Sequence, residues 1–279
     1  MNELVWTDEE HFTIAGTRFE CGERNRFKPH EGHFYVFKSP AAIRHYVRLL
    51  ESIQARRIVE LGTFHGGSTA MVAALCDPEK LVGVDITEER IAELDAFIEE
   101  QALSGRVEVH HSVDQGNRAQ LGGIIDAAFG DEPLDIVFDD ASHQLVPTRT
   151  SFELLFPRLR PGGLYVLEDW RVPALQILAC QLTSGLAQGL ASDITMRQHA
   201  LVIRRSNVVL DDFALDHFVF EDLRDGFATA GAVWTPERYQ AFNEYVADFM
   251  TKDPSAAPKG AGRGVLRLRP DGGGGTAEA

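Results

Sequence analysis

The chain has 279 residues, 44% hydrophobic and 25% charged, enough for one large α/β domain with additions. Forty-two acidic residues against 27 basic ones give a net charge of −15, which disfavours nucleic acid or an anionic membrane as partner, because both call for positive surface. No run approaches the roughly 18 apolar residues of a transmembrane helix. Met1 to Glu10 lacks an apolar signal core, and three widely spaced cysteines, Cys21, Cys76 and Cys180, suggest a reducing cytoplasm rather than a disulfide framework or a zinc site.

Residues 1–38 mix aromatics with charge and read as an N-terminal extension for substrate or subunit contacts. Within it, Phe12 to Glu20 predicts a small hairpin turning at Gly16. Ser39-Pro40 is an N-cap followed by proline at the first helical position, opening a helix to about Ile53 with Ile43, Tyr46, Val47 and Leu50 on one face. From Arg57 strands and helices alternate. Strands are predicted at Ile58 to Leu61, Leu81 to Asp85, Val107 to His110, Leu134 to Phe138 and Leu164 to Leu167. Helices fill the gaps at Ser68 to Leu75, Glu88 to Gln101, Arg118 to Phe129 and Thr148 to Leu159. Such alternation implies a doubly wound α/β fold, a Rossmann-like, mostly parallel sheet with helices on both faces. A helix from Pro173 to Leu190 follows, and Ile194 to Arg205 is the candidate for the closing strands, an antiparallel pair. The domain is therefore placed at 39–205. Residues 206–252 read as a helical C-terminal extension, with a helix start at Thr235-Pro236-Glu237-Arg238. Pro, Gly, Ala and charge in 253–279 predict a disordered tail.

Two stretches carry chemistry. Asp139-Asp140-Ala141-Ser142-His143 and Glu168-Asp169 each follow an apolar strand. Carboxylates at the C-terminal ends of neighbouring parallel strands sit where open α/β sheets bind ligands. Clustered there they repel one another unless a cation lies between them, and all-oxygen donors favour Mg²⁺, with Mn²⁺ or Ca²⁺ as substitutes. His143, three residues past Asp140, is placed to act as a base beside that ion. Asp139 is expected to face away from Asp140, as a strand-end cap or a supporting partner.

The first strand runs into Glu60-Leu61-Gly62-Thr63-Phe64-His65-Gly66-Gly67-Ser68. A glycine-rich turn between strand and helix brings backbone close to a ligand. The loop fails the G-x-G-x-x-G pattern of dinucleotide sites. Asp85 ends the second strand, where a carboxylate can accept bonds from ribose hydroxyls. Glu60, Gly62, Gly66 and Asp85 together suggest an adenosine-containing ligand without a pyrophosphate, and S-adenosylmethionine fits that description.

At these residues the chain resembles the class I S-adenosylmethionine-dependent methyltransferases. More narrowly, it is similar to the metal-dependent sugar O-methyltransferases of macrolide biosynthesis (the mycinamicin and macrocin type) and to the cephalosporin hydroxylase and rhamnosyl O-methyltransferase family. The resemblance rests on Val59 to Ser68, on Asp139 to His143 with Ala141 in place of the family's glycine, and on Leu155 to Asp169. It covers about residues 39–170. It implies Asp140, Glu168 and Asp169 as Mg²⁺ ligands and His143 as general base. It further implies a cofactor site of Glu60, Gly62, Thr63, His65, Gly66, Ser68, Asp85 and Asp140, with Asp114 or Gln115 facing the adenine. Relatives of this kind are typically homo-oligomers.

The chemistry wants these groups. Methyl transfer from a sulfonium is an in-line displacement that needs the acceptor oxygen about 3 Å from the methyl carbon. A hard cation acts as Lewis acid and template for neighbouring hydroxyls, and a positioned base then takes the proton, typically worth about 10² to 10⁴ in rate. The expected reaction is methylation of a sugar hydroxyl on a glycosylated natural product. Rivals stand beside it: a catechol-type metal-dependent O-methyltransferase, a nicotinamide oxidoreductase, which the missing dinucleotide fingerprint opposes, and a non-catalytic cofactor-binding protein. An iron hydroxylase lacks its facial triad. Glu168-Asp169 has a salt bridge to Arg171 as its structural alternative, and His65 a packing role. Tyr35, Phe37 and Trp170 are candidates for an acceptor pocket or for ordinary core.

Overall fold

The computed structural model describes residues 1–22, 32–187 and 189–210, with Phe213 and Leu215. These belong to one compact unit, Met1–Arg224, which takes in the N-terminal extension. The predicted C-terminal helix from 235 and the tail 253–279 lie outside the described residues.

The chain opens with four short strands: β1 (Leu4–Trp6), β2 (His11–Ile14), β3 (Thr17–Cys21) and β4 (Phe34–Val36). They form a sheet of their own in that order, with β4 parallel to β3. The hairpin predicted at Gly16 is present. Ala15 (φ 48°) and Gly16 (φ 85°) are both left-handed, as a tight turn between twisted strands demands. A ladder of rings fixes this sheet. Phe12 lies 5.0 Å from Trp6 and 5.2 Å from Phe19, Phe19 lies 5.9 Å from Phe34, and Phe34 meets Phe97 edge-on at 5.4 Å.

Helix α1 (Pro40–Ile53) follows, with the Ser39 hydroxyl accepting from the Ala42 amide and Ile43, Tyr46 and Leu50 buried. The main sheet then alternates with helices: β5 (Arg57–Leu61), α2 (Gly67–Cys76), β6 (Lys80–Val84), α3 (Ala92–Glu100), β7 (Val107–His110), α4 (Arg118–Phe129), β8 (Leu134–Asp139), α5 (Leu145–Leu155), β9 (Leu159–Glu168), α6 (Pro173–Ala187), β10 (Ala191–Met196) and β11 (Ala200–Arg205). The strand order is β10-β11-β9-β8-β5-β6-β7. Five strands are parallel, and β11 and β10 close one edge antiparallel. Among the described residues no helix is long and apolar enough to cross a membrane.

The period of two along each strand sorts the core into two layers. Ile58, Leu81, Ile136, Phe138, Leu164 and Val166 face α1, α2, α3 and the small sheet. Val59, Leu61, Val82, Val137, Tyr165 and Leu167 face α4, α5 and α6. This is the α/β Rossmann-like fold that the alternation predicted.

Several boundaries differ from the predicted ones, α6 among them, which ends at Ala187 rather than Leu190. Helix α3 starts at Ala92 rather than Glu88, because Thr87 turns its amide and hydroxyl onto Asp85 (2.9 Å each) and cannot open a helix. Helix α5 starts at Leu145 rather than Thr148, since Pro147 is tolerated in a first turn, and a 3₁₀ turn over Phe156–Arg158 replaces its predicted last residues. Strand β9 extends back to Leu159 by a register shift against Leu134 and Ile136.

Candidate active site

A cavity of about 750 Å³ opens at the C-terminal ends of the central strands, the volume of a site for a cofactor-sized ligand. Gly62 closes β5 at φ +87°, and a Cβ there would meet the Asp140 carbonyl oxygen at 2.3 Å. The turn therefore needs glycine twice over, for its dihedral and for the close approach of two backbones. Gly67, opening α2, is as constrained: a Cβ would lie 2.0 Å from the Tyr35 carbonyl oxygen. That contact seats β4 and the residues after it against the site.

Of the residues expected to hold a cofactor, Gly62, Thr63, His65, Ser68, Asp85, Asp114, Gln115 and Asp140 line the cavity. Glu60 and Gly66 are absent from its lining. Glu60 is buried beneath the loop and accepts from the Thr69 hydroxyl at 2.5 Å, tying β5 to α2. Burial raises its carboxyl, opposed by hydrogen bonds from the start of α2. Gly66 caps α2 at φ +77° against the Leu94 side chain. Asp85 accepts from the Phe64 amide (2.8 Å) as well as from Thr87, so its carboxylate organises the two loops bordering the cavity. Gln115 is turned into the wall. Its amide donates to Asp139 (3.1 Å) and Ser151 (2.9 Å), and its carbonyl accepts from the Ser142 amide (2.7 Å). Asp114 remains exposed at the rim and accepts from the Gly116 amide.

At the ends of β8 and β9 the alternation of side chains separates neighbours. Asp139 faces the α5 side, as expected, buried under hydrogen bonds from Tyr165 (2.5 Å), Ser151 (3.1 Å) and Gln115. Burial pushes its carboxyl up to about 6, against the pull of those bonds. Asp140 faces the cavity with His143. The imidazole Nε2 stands 3.8 Å from an Asp140 oxygen and 3.7 Å from an Asp169 oxygen. These three side chains are the group among the described residues whose ligand atoms converge closely enough to share a metal ion. His143 (φ 52°) and Asp169 (φ 47°) both occupy the left-handed region, the strained backbone that recurs at functional sites. Ala141 is not among the left-handed residues, so its backbone dihedral does not call for glycine.

Glu168 is not directed at that trio. Its carboxylate lies 2.5 Å from the Lys38 ammonium, which also reaches Asp140 at 3.0 Å. Burial alone would lower the lysine, but Asp140 and Glu168 outweigh it and hold the ammonium above its ordinary range. Burial and the Asp140 charge push the Glu168 carboxyl up, with Lys38 opposing them. The sequence reading missed Lys38 altogether. Its signal is faint: a lysine between an aromatic strand and a helix cap, 102 and 130 residues from its partners. The alternative partner, Arg171, makes no ion pair with Glu168 or Asp169 among the described residues. Tyr35 and Phe37 line the cavity, as does His199, also missed. Trp170 does not; its indole donates to the Arg197 carbonyl at 2.8 Å.

Residues 59–170 match the family model described as a methyltransferase domain. Among curated proteins, the chain is 35% identical over 150 residues to demethylmacrocin O-methyltransferase of Streptomyces fradiae, spanning 53% of this chain and 32% of that protein. It is 31% identical over 150 residues to mycinamicin VI 2''-O-methyltransferase of Micromonospora griseorubida, 51% of this chain and 33% of that protein. The chain thus spans about a third of the length of these relatives. Among solved structures, the MycE methyltransferase from the mycinamycin biosynthetic pathway, in complex with Mg and SAH, aligns with a TM-score of 0.47 and 24% identity over 64% of this chain and 51% of that one.

Proposed function

We propose that this chain is an O-methyltransferase that uses S-adenosylmethionine and Mg²⁺ to methylate a sugar hydroxyl of a glycosylated natural product, with His143 as general base. The observation that carries the reading is the imidazole of His143 standing between the carboxylates of Asp140 and Asp169 on a cavity of cofactor size. By their names the curated relatives are O-methyltransferases of demethylmacrocin and of the 2'' position of mycinamicin VI. Residues 39–205 form the catalytic domain in this reading, and Phe37 and Tyr35 of the N-terminal segment border the acceptor.

The donor set fits a hard cation. Mg²⁺ characteristically takes one or two protein carboxylates and completes its shell with water and substrate oxygens. Asp140 and Asp169 would hold it here, and when bound it lends Lewis acidity and a template for vicinal hydroxyls. The chain's own residues do the rest. Gly62 and the turn after it leave room for the cofactor by bringing bare backbone to the cavity. Ser68, Thr63 and the exposed Asp114 supply polar groups along its length. Asp140 and Asp169 flank His143 Nε2 beyond hydrogen-bond distance, at 3.8 and 3.7 Å, and the unprotonated Nε2 accepts the hydroxyl proton as the acceptor oxygen attacks. The bond formed is oxygen to methyl carbon, the bond broken is methyl carbon to sulfur, and S-adenosylhomocysteine leaves.

The test is release of S-adenosylhomocysteine on a panel of glycosides and catechols, with Mg²⁺ or with EDTA, for wild type and Asp140→Asn. The expected result is Mg²⁺-dependent turnover of a glycoside, reduced by about 10² or more in the variant. Turnover of catechols alone would move the acceptor to phenols, and turnover that survives EDTA would remove the metal from the reading.

A further inference from the structure

The three-carboxylate cluster already contains a cation of the protein's own. Lys38 leaves β4 through a tight turn, its amide bonded to the Val36 carbonyl at 2.7 Å. The packing of Tyr35 on Gly67 fixes where that turn lies. The side chain then runs inward and is buried, only 9% exposed. Its Nζ rests 5.2 Å from the Tyr46 ring centroid, a second stabilising contact for a cation. The two oxygens it contacts belong to Asp140 and Glu168, two of the three groups that the sequence motif offers to a metal ion. His143 approaches the other Asp140 oxygen, and neither His143 nor Asp169 pairs with Lys38 among the described residues.

An ammonium at contact distance offsets a carboxylate's charge and occupies the oxygen it touches, so that group attracts a divalent ion less strongly. A metal drawn into the site therefore meets one oxygen of each carboxylate already engaged. Glu168 has the shorter contact (2.5 against 3.0 Å), is the more deeply buried of the two and stands outside the converging trio. It also meets a positive charge, and in this partly buried setting that repulsion is weakly screened.

We propose that Lys38 is a built-in competitor of the divalent ion: it withholds Glu168 from the metal, leaves Asp140 and Asp169 as the protein ligands, and sets a weak intrinsic metal affinity. The proposal rests on the metal-dependent reading given above. The ion in such a site is completed by the acceptor's own hydroxyls, so a loosely held metal couples its binding to the presence of substrate. Lys38 is in this account a positioning residue. It touches two carboxylates and no reacting atom.

The experiment titrates Mn²⁺ alone into the full-length protein, free of acceptor, and follows free Mn²⁺ by electron paramagnetic resonance. Lys38→Met is expected to bind at least tenfold tighter than wild type, because Glu168 becomes available and a repelling charge is gone. In thermal unfolding, Mg²⁺ should raise the midpoint of this variant by more than it raises that of wild type. The paired variant Lys38→Met/Glu168→Gln leaves no buried charge unpaired, and its Mn²⁺ affinity should stay within threefold of wild type. Unchanged or weaker binding in Lys38→Met would overturn the proposal. So would a tenfold loss in the paired variant, which would make Glu168 a metal ligand of the native site. S-adenosylhomocysteine release in EDTA, measured on the same wild-type sample, reports the functional reading separately. Turnover that resists EDTA removes the metal from catalysis, whereas the affinity ratios judge Lys38.

Discussion

On the wall of the cavity formed by β5, β6 and the glycine loop, polar side chains are bonded to the protein itself, whereas on the wall formed by β8 and β9 only Asp140 and Glu168 are tied down, by Lys38, and His143 and Asp169 face one another across open space. Asp85 accepts from two loops and, buried beneath the wall, Glu60 accepts from Thr69. On the opposite wall His143 and Asp169 are 34% and 62% exposed, at left-handed φ, and stand beyond hydrogen-bond distance from each other. The first wall is a scaffold whose shape is complete before any ligand arrives, a preformed cleft for an adenosine-sized group. The second holds charge that the protein leaves partly unpaired, where charge must move in a reaction. Between them Asp139 belongs to the scaffold and its neighbour Asp140 to the chemistry, one residue apart on alternate faces of β8.

That contrast can be broken from the scaffold side, and the largest effect should come from Gly62→Ala. The added methyl forces a left-handed alanine and drives into the Asp140 carbonyl, so the fold should lose on the order of 3 kcal/mol, read by chemical denaturation. Because the clash falls on Asp140, S-adenosylmethionine binding and the acid wall should suffer together.

Asp139 sharpens the comparison through pH. Its folded-state carboxyl lies near 6, above the ordinary unfolded value of about 4, so the folded protein binds that proton more tightly. The contribution is fully present below pH about 4 and is lost as pH rises through about 6, a difference of about 3 kcal/mol. Denaturation curves across that window should show wild type losing this stability with rising pH and Asp139→Asn lacking the loss. Identical slopes would mean that Asp139 is not the buried, bonded carboxyl described.

Smaller effects should come from single bonds of the scaffold. Thr69→Val removes the donor to buried Glu60 and should cost about 1 to 2 kcal/mol, with turnover per folded molecule little changed. Ser39→Ala removes the cap of α1, next to Lys38, and should cost about 1 kcal/mol. A Ser39→Ala protein whose stability is unchanged would show that the tie from β4 to Gly67, and not the cap, fixes the start of α1.

Much of this was legible in the residues because it is local. Strand and helix periods placed β5 to β9, the Ser39-Pro40 pair placed α1, and Gly16 placed the hairpin. The pleat predicted that Asp139 would turn from Asp140, and the motif brought Asp140, His143 and Asp169 to one spot. What escaped is tertiary. Lys38 meets Glu168 only because β4 packs on Gly67, and no spacing records that contact. Gln115 was read as a cofactor contact, yet its amide is committed to Asp139 and Ser151, partners that a linear motif cannot supply. Strands β1 and β4, three residues each, are too short to show a period and are held by the ladder of rings from Trp6 to Phe97.

The most direct test of the central claim is His143→Ala, assayed with Mg²⁺ on an accepted glycoside, with S-adenosylmethionine affinity measured by calorimetry on the same preparation. If His143 is the base standing between Asp140 and Asp169, cofactor affinity stays within a few-fold of wild type while turnover falls by about 10² to 10⁴. Turnover within threefold of wild type, with the cofactor bound as before, would contradict the account.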